Sequence, residues 1–178
     1  MNIKTFKYCI VVPVYETKDN LEKFVKLSET LLVDQNEIEM LFVDDGNDYD
    51  LKDVININLP NFKIIKNKKN LGYGASIKKG VAQTHSDIIG IIDCDNSYDL
   101  KHLINLILEF KKKECDLLVG KRIFEYDDFF LKVIFRKIIN KLSTLIFNYK
   151  VEDINSGLRV FYKSEFMKDL SVYPDKFS

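Results

Sequence analysis

Residues 88–95 read Ile88-Ile89-Gly90-Ile91-Ile92-Asp93-Cys94-Asp95, an apolar run that ends on two carboxylates one residue apart. A continuous apolar stretch of this length fits a strand buried on both faces of a parallel sheet. Its ending is the anomaly. At about 4 Å, two carboxylates oppose each other by about 4 kcal/mol at an effective dielectric near 20. A positive charge between them offsets that repulsion. Carboxylate oxygens suit a hard divalent cation, magnesium or manganese, which commonly bridges protein to substrate phosphates.

The same design recurs upstream. Tyr8–Tyr15 is β-branched and almost wholly apolar and predicts a first strand, while Ile38–Val43 predicts a second, stopped by Asp44-Asp45-Gly46. Phe62–Ile65 predicts a short third strand and Asp116–Gly120 a fifth, after Ile88–Ile92. Between them, Leu21, Phe24, Val25, Leu27, Leu31 and Leu32 recur at helical spacing behind a capping box of Asp19 and Glu22. A weak helix is expected over Leu51–Ile55, another over Ala75–Thr84, and a third capped by Asp99 and running through Lys113. Such alternation predicts an open α/β fold with a mostly parallel central sheet flanked by helices, binding its ligands outside the carboxyl ends of the strands. Both acid pairs fall on that edge.

The 178 residues suit one domain over 1–178. Lys plus Arg and Asp plus Glu both total 27, so no global basic field points to nucleic acid. Cys9, Cys94 and Cys115 have no short-spaced Cys or His companions, which argues against a zinc site or a disulfide framework and for a reducing, cytoplasmic setting. Charged residues interrupt the first seven positions, so no secretory signal is expected. No run reaches the roughly 18 apolar residues of a membrane span.

Five landmarks, in order, carry a resemblance. They are Val12-Pro13-Val14-Tyr15, Phe42-Val43-Asp44-Asp45-Gly46, Asn70-Leu71-Gly72-Tyr73-Gly74-Ala75, Asp93-Cys94-Asp95, and Asp153-Ile154-Asn155-Ser156-Gly157-Leu158-Arg159. Together they resemble the nucleotide-sugar glycosyltransferases of the GT-A fold (glycosyltransferase family 2), in particular enzymes like dolichyl-phosphate mannose synthase and bacterial polyprenyl-phosphate glycosyltransferases. The Gly72-Tyr73-Gly74 turn is not a dinucleotide fingerprint, because Ile77 stands where the third glycine belongs.

The resemblance implies an inverting, metal-dependent transferase using a UDP- or GDP-sugar. Pro13, Tyr15, Glu16, Asp44, Asp45, Asn70, Gly72 and Asp93 would form the donor site, with a base N–H donating to Asp44 or Asp45. Asp93 and Asp95 would hold the Mg2+ or Mn2+ ion. On the acceptor side, Arg122 and Arg159 would hold phosphate, and Asp153 would serve as base or orient the nucleophile, with Glu152 as the alternative. Arg136 is placed only loosely. The expected acceptor is a polyprenyl (dolichyl or undecaprenyl) phosphate; a glycan hydroxyl or a catalytically silent nucleotide-binding module are the readings left open. Two departures stand out: Glu16-Thr17 follows Tyr15 where relatives usually have Asn-Glu, and Ser97 replaces a bulkier polar residue. Many relatives continue past the equivalent of Ser178, so truncation at the C-terminal end is expected.

Residues 129–148 predict a helix with Lys132, Arg136, Lys137, Asn140, Lys141, Thr144 and Asn148 on one side and bulky apolar residues on the other. Such a helix suits either an anionic membrane surface or packing of its apolar face on the sheet with the lysines in water; the resemblance to enzymes of lipid-linked acceptors favours the first, so a peripheral place at the cytoplasmic face of a membrane is expected.

Overall fold

A computed structural model describes residues 6–56, 58–95, 98–120, 138, 139, 141, 143–145 and 156–176. Six strands form one sheet: β1 (Tyr8–Val14), β2 (Ile38–Asp44), β3 (Phe62–Lys66), β4 (Ile88–Ile91), β5 (Leu117–Val119) and β6 (Arg159–Tyr162). The order across the sheet is β3-β2-β1-β4-β6-β5. The first four are parallel, and β6 runs antiparallel between β4 and β5.

Helices cover both faces, as the unbroken apolar strands require. Ile10, Val12, Met40, Phe42, Ile88 and Val160 pack against α1 (Lys18–Leu32) and α3 (Leu100–Phe110). Cys9, Val11, Leu41, Val43, Ile89, Ile91 and Phe161 face α2 (Tyr73–Gln83) and α4 (Lys163–Lys168). Each fully buried Ile, Leu or Phe contributes about 1.5–3 kcal/mol.

Three local expectations change. The capping box of Asp19 and Glu22 is not formed, because α1 starts two residues earlier than that box requires, with Thr17 at the cap position. Thr17 makes no side-chain cap; its hydroxyl lies 3.2 Å from Cys94 Sγ. The expected helix at Leu51–Ile55 is a single 3-10 turn over Leu51–Asp53. Asp99 does cap α3, accepting from Lys101 N at 2.9 Å, but the helix ends at Phe110 rather than Lys113.

The strand order reverses between β1 and β4, which makes their carboxyl ends the topological switch point. The β1–β4 ladder stops at the pair Val11–Ile91, whereas β1–β2 continues to Val14–Asp44. Pro13 lies just past that stop, where its missing N–H leaves no ladder bond unmade on the β4 side. Because β6 is antiparallel, its first residue, Arg159, pairs with Ile91 and so begins at the edge where β4 ends.

Candidate functional site

At the end of β2, Asp44 is 1% exposed and its carboxylate is fully engaged by protein. Oδ1 accepts from Gly46 N (3.1 Å), Asn47 N (2.8 Å) and Asn47 Nδ2 (2.8 Å), and Oδ2 lies 3.0 Å from Lys66 Nζ. Asn47 also donates to Val14 O and accepts from Glu16 N, tying the ends of β1 and β2 together. Glu16 itself is exposed and has a φ of 50°, a left-handed conformation uncommon outside glycine.

Asp45, also buried, grips the next loop. Its Oδ1 accepts from Asn67 Nδ2 (2.8 Å) and Leu71 N (2.9 Å), and its Oδ2 from Gly72 N (2.9 Å). Gly46, at φ +81°, makes this approach possible: a Cβ there would sit 2.5 Å from the carbonyl carbon of Lys69 and 2.6 Å from Asn70 N. The Asp-Asp-Gly turn and the Asn70-Leu71-Gly72 turn are therefore in backbone contact. Asn70 and Tyr15 are exposed on this edge. Donors from the protein engage both carboxylates of Asp44 and Asp45.

Beyond β4, the side chains alternate. Cys94 turns into the core beside α1, and burial pushes its thiol up from its ordinary value. Asp93 is half-buried on the opposite side, and Asp95 is exposed. The hydroxyl of Tyr73, the first residue of α2, donates to Asp93 Oδ1 at 2.7 Å. Burial, and after it the Asp93 carboxylate, pushes the Tyr73 phenol well up, so it remains a neutral donor. The other carboxylate oxygen faces Gly157: a Cβ there would lie 2.2 Å from Asp93 Oδ2. Gly157 N donates to Tyr98 OH at 2.6 Å, and Arg159 Nε donates to Ser156 O at 3.0 Å.

The fold thus brings together Pro13, Tyr15, Glu16, Asp44, Asp45, Asn70, Gly72, Asp93, Asp95 and Arg159 along one sheet edge. Arg122, Arg136, Glu152 and Asp153 lie outside the described residues. So does most of the 129–148 segment; within it, Ile138, Ile139, Lys141, Ser143, Thr144 and Leu145 are helical. Sequence reasoning missed Asn47, Asn67, Tyr73 and Tyr98, each of which has a partner distant in the chain. It also missed strand β6, reading its start only as the tail of a motif.

Among the described residues, no group of three or more His, Cys, Asp and Glu side chains is arranged to hold a metal ion. Two carboxylates one residue apart fit a hard cation that draws its remaining ligands from substrate phosphate and water. They do not fit a closed, all-protein metal cage.

Comparison with known proteins agrees with this geometry. The dodecaprenyl-phosphate galacturonate synthase of Rhizobium johnstonii is 24% identical over 179 residues, covering 96% of this chain and 52% of that protein. The dolichol-phosphate mannosyltransferase of Pyrococcus furiosus is 21% identical over 176 residues, covering 94% of this chain and 49% of its own. The chain thus spans about half the length of these relatives. Among solved structures, glucosyl-3-phosphoglycerate synthase from Mycobacterium tuberculosis, in complex with Mn2+, UDP and glucosyl-3-phosphoglycerate, superposes with a TM-score of 0.67. It is 17% identical, with 89% of this chain and 57% of that one covered. That likeness shows a shared fold, the GT-A arrangement. The family model described as Glycosyl transferase family 2 matches residues 9–170, from the second residue of β1 to just past α4, and the chain belongs to that family.

Proposed function

We propose that this chain carries the catalytic domain of an inverting glycosyltransferase that moves a sugar from a uridine or guanosine diphosphate carrier to a polyprenyl phosphate. Asp93 and Asp95 hold a magnesium or manganese ion in this reading. One observation carries it: in a family 2 chain, both carboxylates stand where β4 ends at the switch point, the place where open α/β sheets bind ligands. The manganese and UDP bound in the mycobacterial synthase support the donor side, and the lipid phosphates for which the two relatives are named support the acceptor.

The chain's own residues divide the work. Pro13, Tyr15 and Glu16 form the β1 wall of the donor pocket, and Asn70 and Gly72 the facing turn. Asp44 and Asp45 hold those two walls in register from beneath. Arg159, the first residue of β6, pairs with Ile91 at the end of β4 and is assigned, with Arg122, to the acceptor phosphate, while Asp153 is assigned to orient the nucleophile. A lipid phosphate oxygen is already anionic, so it needs cationic positioning rather than proton removal before it displaces the nucleotide at the anomeric carbon. The cation, when bound, offsets the charge that develops on the diphosphate leaving group.

A peripheral site at a membrane goes with this acceptor. Among the described residues no helix is long and apolar enough to cross a membrane. Among the described residues, Ile138, Ile139 and Leu145 are exposed at helical positions, and the sequence over 129–148 carries Lys132, Arg136, Lys137 and Lys141, which supports surface docking.

The test is transfer of labelled sugar by the protein in detergent micelles, offering undecaprenyl phosphate and an oligosaccharide in parallel. Product on the lipid phosphate, lost with EDTA and in Asp95→Ala, is expected. Product on the oligosaccharide alone overturns the acceptor, and metal-independent transfer overturns the cation. Nucleotide binding without turnover on either acceptor would identify a silent module instead.

A further inference from the structure

We propose that Tyr73 is a positioning residue that fixes the orientation of the Asp93 carboxylate. The inference rests on the reading of Asp93 and Asp95 as cation-holding groups. It adds a residue from the donor-side turn to the machinery at the end of β4.

A carboxylate's terminal torsion is broad and roughly two-fold, so an aspartate at a strand end samples many orientations unless something selects one. Here a contact at each of its two oxygens does so. The Tyr73 hydroxyl holds Oδ1 at 2.7 Å, and the Gly157 backbone closes against Oδ2, leaving no room even for a methyl group. Tyr73 is in turn fixed. It follows directly on Gly72, whose N–H, with that of Leu71, is held by the buried Asp45. The phenol is therefore placed by a chain of hydrogen bonds rooted in β2, not by a flexible loop. Hydrogen-bond partners that orient a metal-holding side chain typically change metal affinity or activity 10- to 100-fold when removed.

The test is direct Mn2+ binding, read from the electron spin resonance signal of free Mn2+ in the presence of UDP or GDP. The parent chain, Tyr73→Phe, Asp93→Ala, Asp95→Ala and the double variant Tyr73→Phe/Asp93→Ala are compared, and thermal unfolding confirms that each is folded. Tyr73→Phe is expected to weaken Mn2+ binding at least about ten-fold, with its Tm close to the parent's. In the Asp93→Ala background the same change is expected to do nothing further, because its effect passes through Asp93. Parent-like Mn2+ affinity in Tyr73→Phe, with binding lost in Asp95→Ala, overturns the role of Tyr73 and leaves the cation site standing. Undiminished loss from Tyr73→Phe in the Asp93→Ala background also overturns it. Equal affinity in the parent and Asp95→Ala, or no binding by the parent, overturns the cation site and this proposal with it.

Discussion

The carboxylate of Asp45 and the backbone N–H of Gly72 are joined by a 2.9 Å hydrogen bond, across 27 residues of sequence and from the end of one strand to the mouth of a helix. That bond explains why a strand would end on two adjacent buried acids. Asp44 closes the β2 turn onto β1 through Asn47, and Asp45 pulls the Asn70-Leu71-Gly72 turn down onto the same edge. Next along the chain, Tyr73 reaches Asp93, and Asp93 abuts Gly157. Residues far apart in sequence thereby form one connected rim around the switch-point crevice.

Replacing Asp45 should show how much that rim depends on it. Three donors converge on its carboxylate, and Asp45→Asn turns an NH2 group toward some of them while removing the charge. Hydrogen bonds to a charged group contribute about 1.5–3 kcal/mol, and buried donors left unsatisfied add to the loss. Urea unfolding should show Asp45→Asn less stable by about 2–4 kcal/mol. A loss below about 0.5 kcal/mol, the range of an ordinary surface change, would mean the turn holds itself in place.

Gly157→Ala tests the other side of Asp93. The new methyl group would lie 2.2 Å from Oδ2 and 3.0 Å from Cγ, so the carboxylate must swing and give up its bond to Tyr73. The side chain can move without unfolding the sheet, so Tm should change little. Sugar transfer and Mn2+ affinity should each fall about 10- to 100-fold. Full activity in this variant would show that the position of Asp93 is not critical.

Much of the fold was legible because its signals are local. The runs at β1, β2 and β4 are too apolar to be anything but buried, and the Asp99 cap is written within two residues of its target. What escaped depends on distant partners. Thr17 displaces Asp19 from the cap of α1, with its hydroxyl beside a cysteine 77 residues away. Strand β6 has four residues, begins straight after Leu158 and runs into α4 without a turn, so neither length nor punctuation announces it. In the site, the acids were visible from their repulsion, but Tyr73 and Asn67 acquire meaning only when the fold sets them beside those acids.

A stability effect of opposite sign is expected at Tyr49. Its hydroxyl is buried and, among the described residues, has no hydrogen-bond partner, while its ring lies under Lys18 Nζ at 5.5 Å from the centroid. An unsatisfied buried hydroxyl costs about 1–3 kcal/mol. Tyr49→Phe removes that cost and keeps the ring beneath the ammonium. Calorimetry should show Tm higher by about 2–4 °C per kcal/mol recovered. A lower Tm would show that the hydroxyl is satisfied in solution.

Cys9 predicts how stability responds to alkali. It lies wholly buried in β1 beside Glu39, itself paired with Lys63 and Thr84, and burial first, then the Glu39 charge, raises its thiol above the ordinary 9.0. In the unfolded chain the thiol loses its proton near that ordinary value; in the folded chain it keeps it. The folded state then binds more protons, so this contribution is complete below about pH 9 and is lost as pH rises toward the folded value. The slope is about 1.4 kcal/mol per pH unit for one such group. Urea unfolding at pH 8, 9 and 10 should show stability falling above pH 9, and Cys9→Ala should flatten that fall even though it lowers stability at pH 8. Alkylation at pH 8 should reach the partly exposed Cys115 well before Cys9. An identical alkaline slope in Cys9→Ala would assign the effect to other groups.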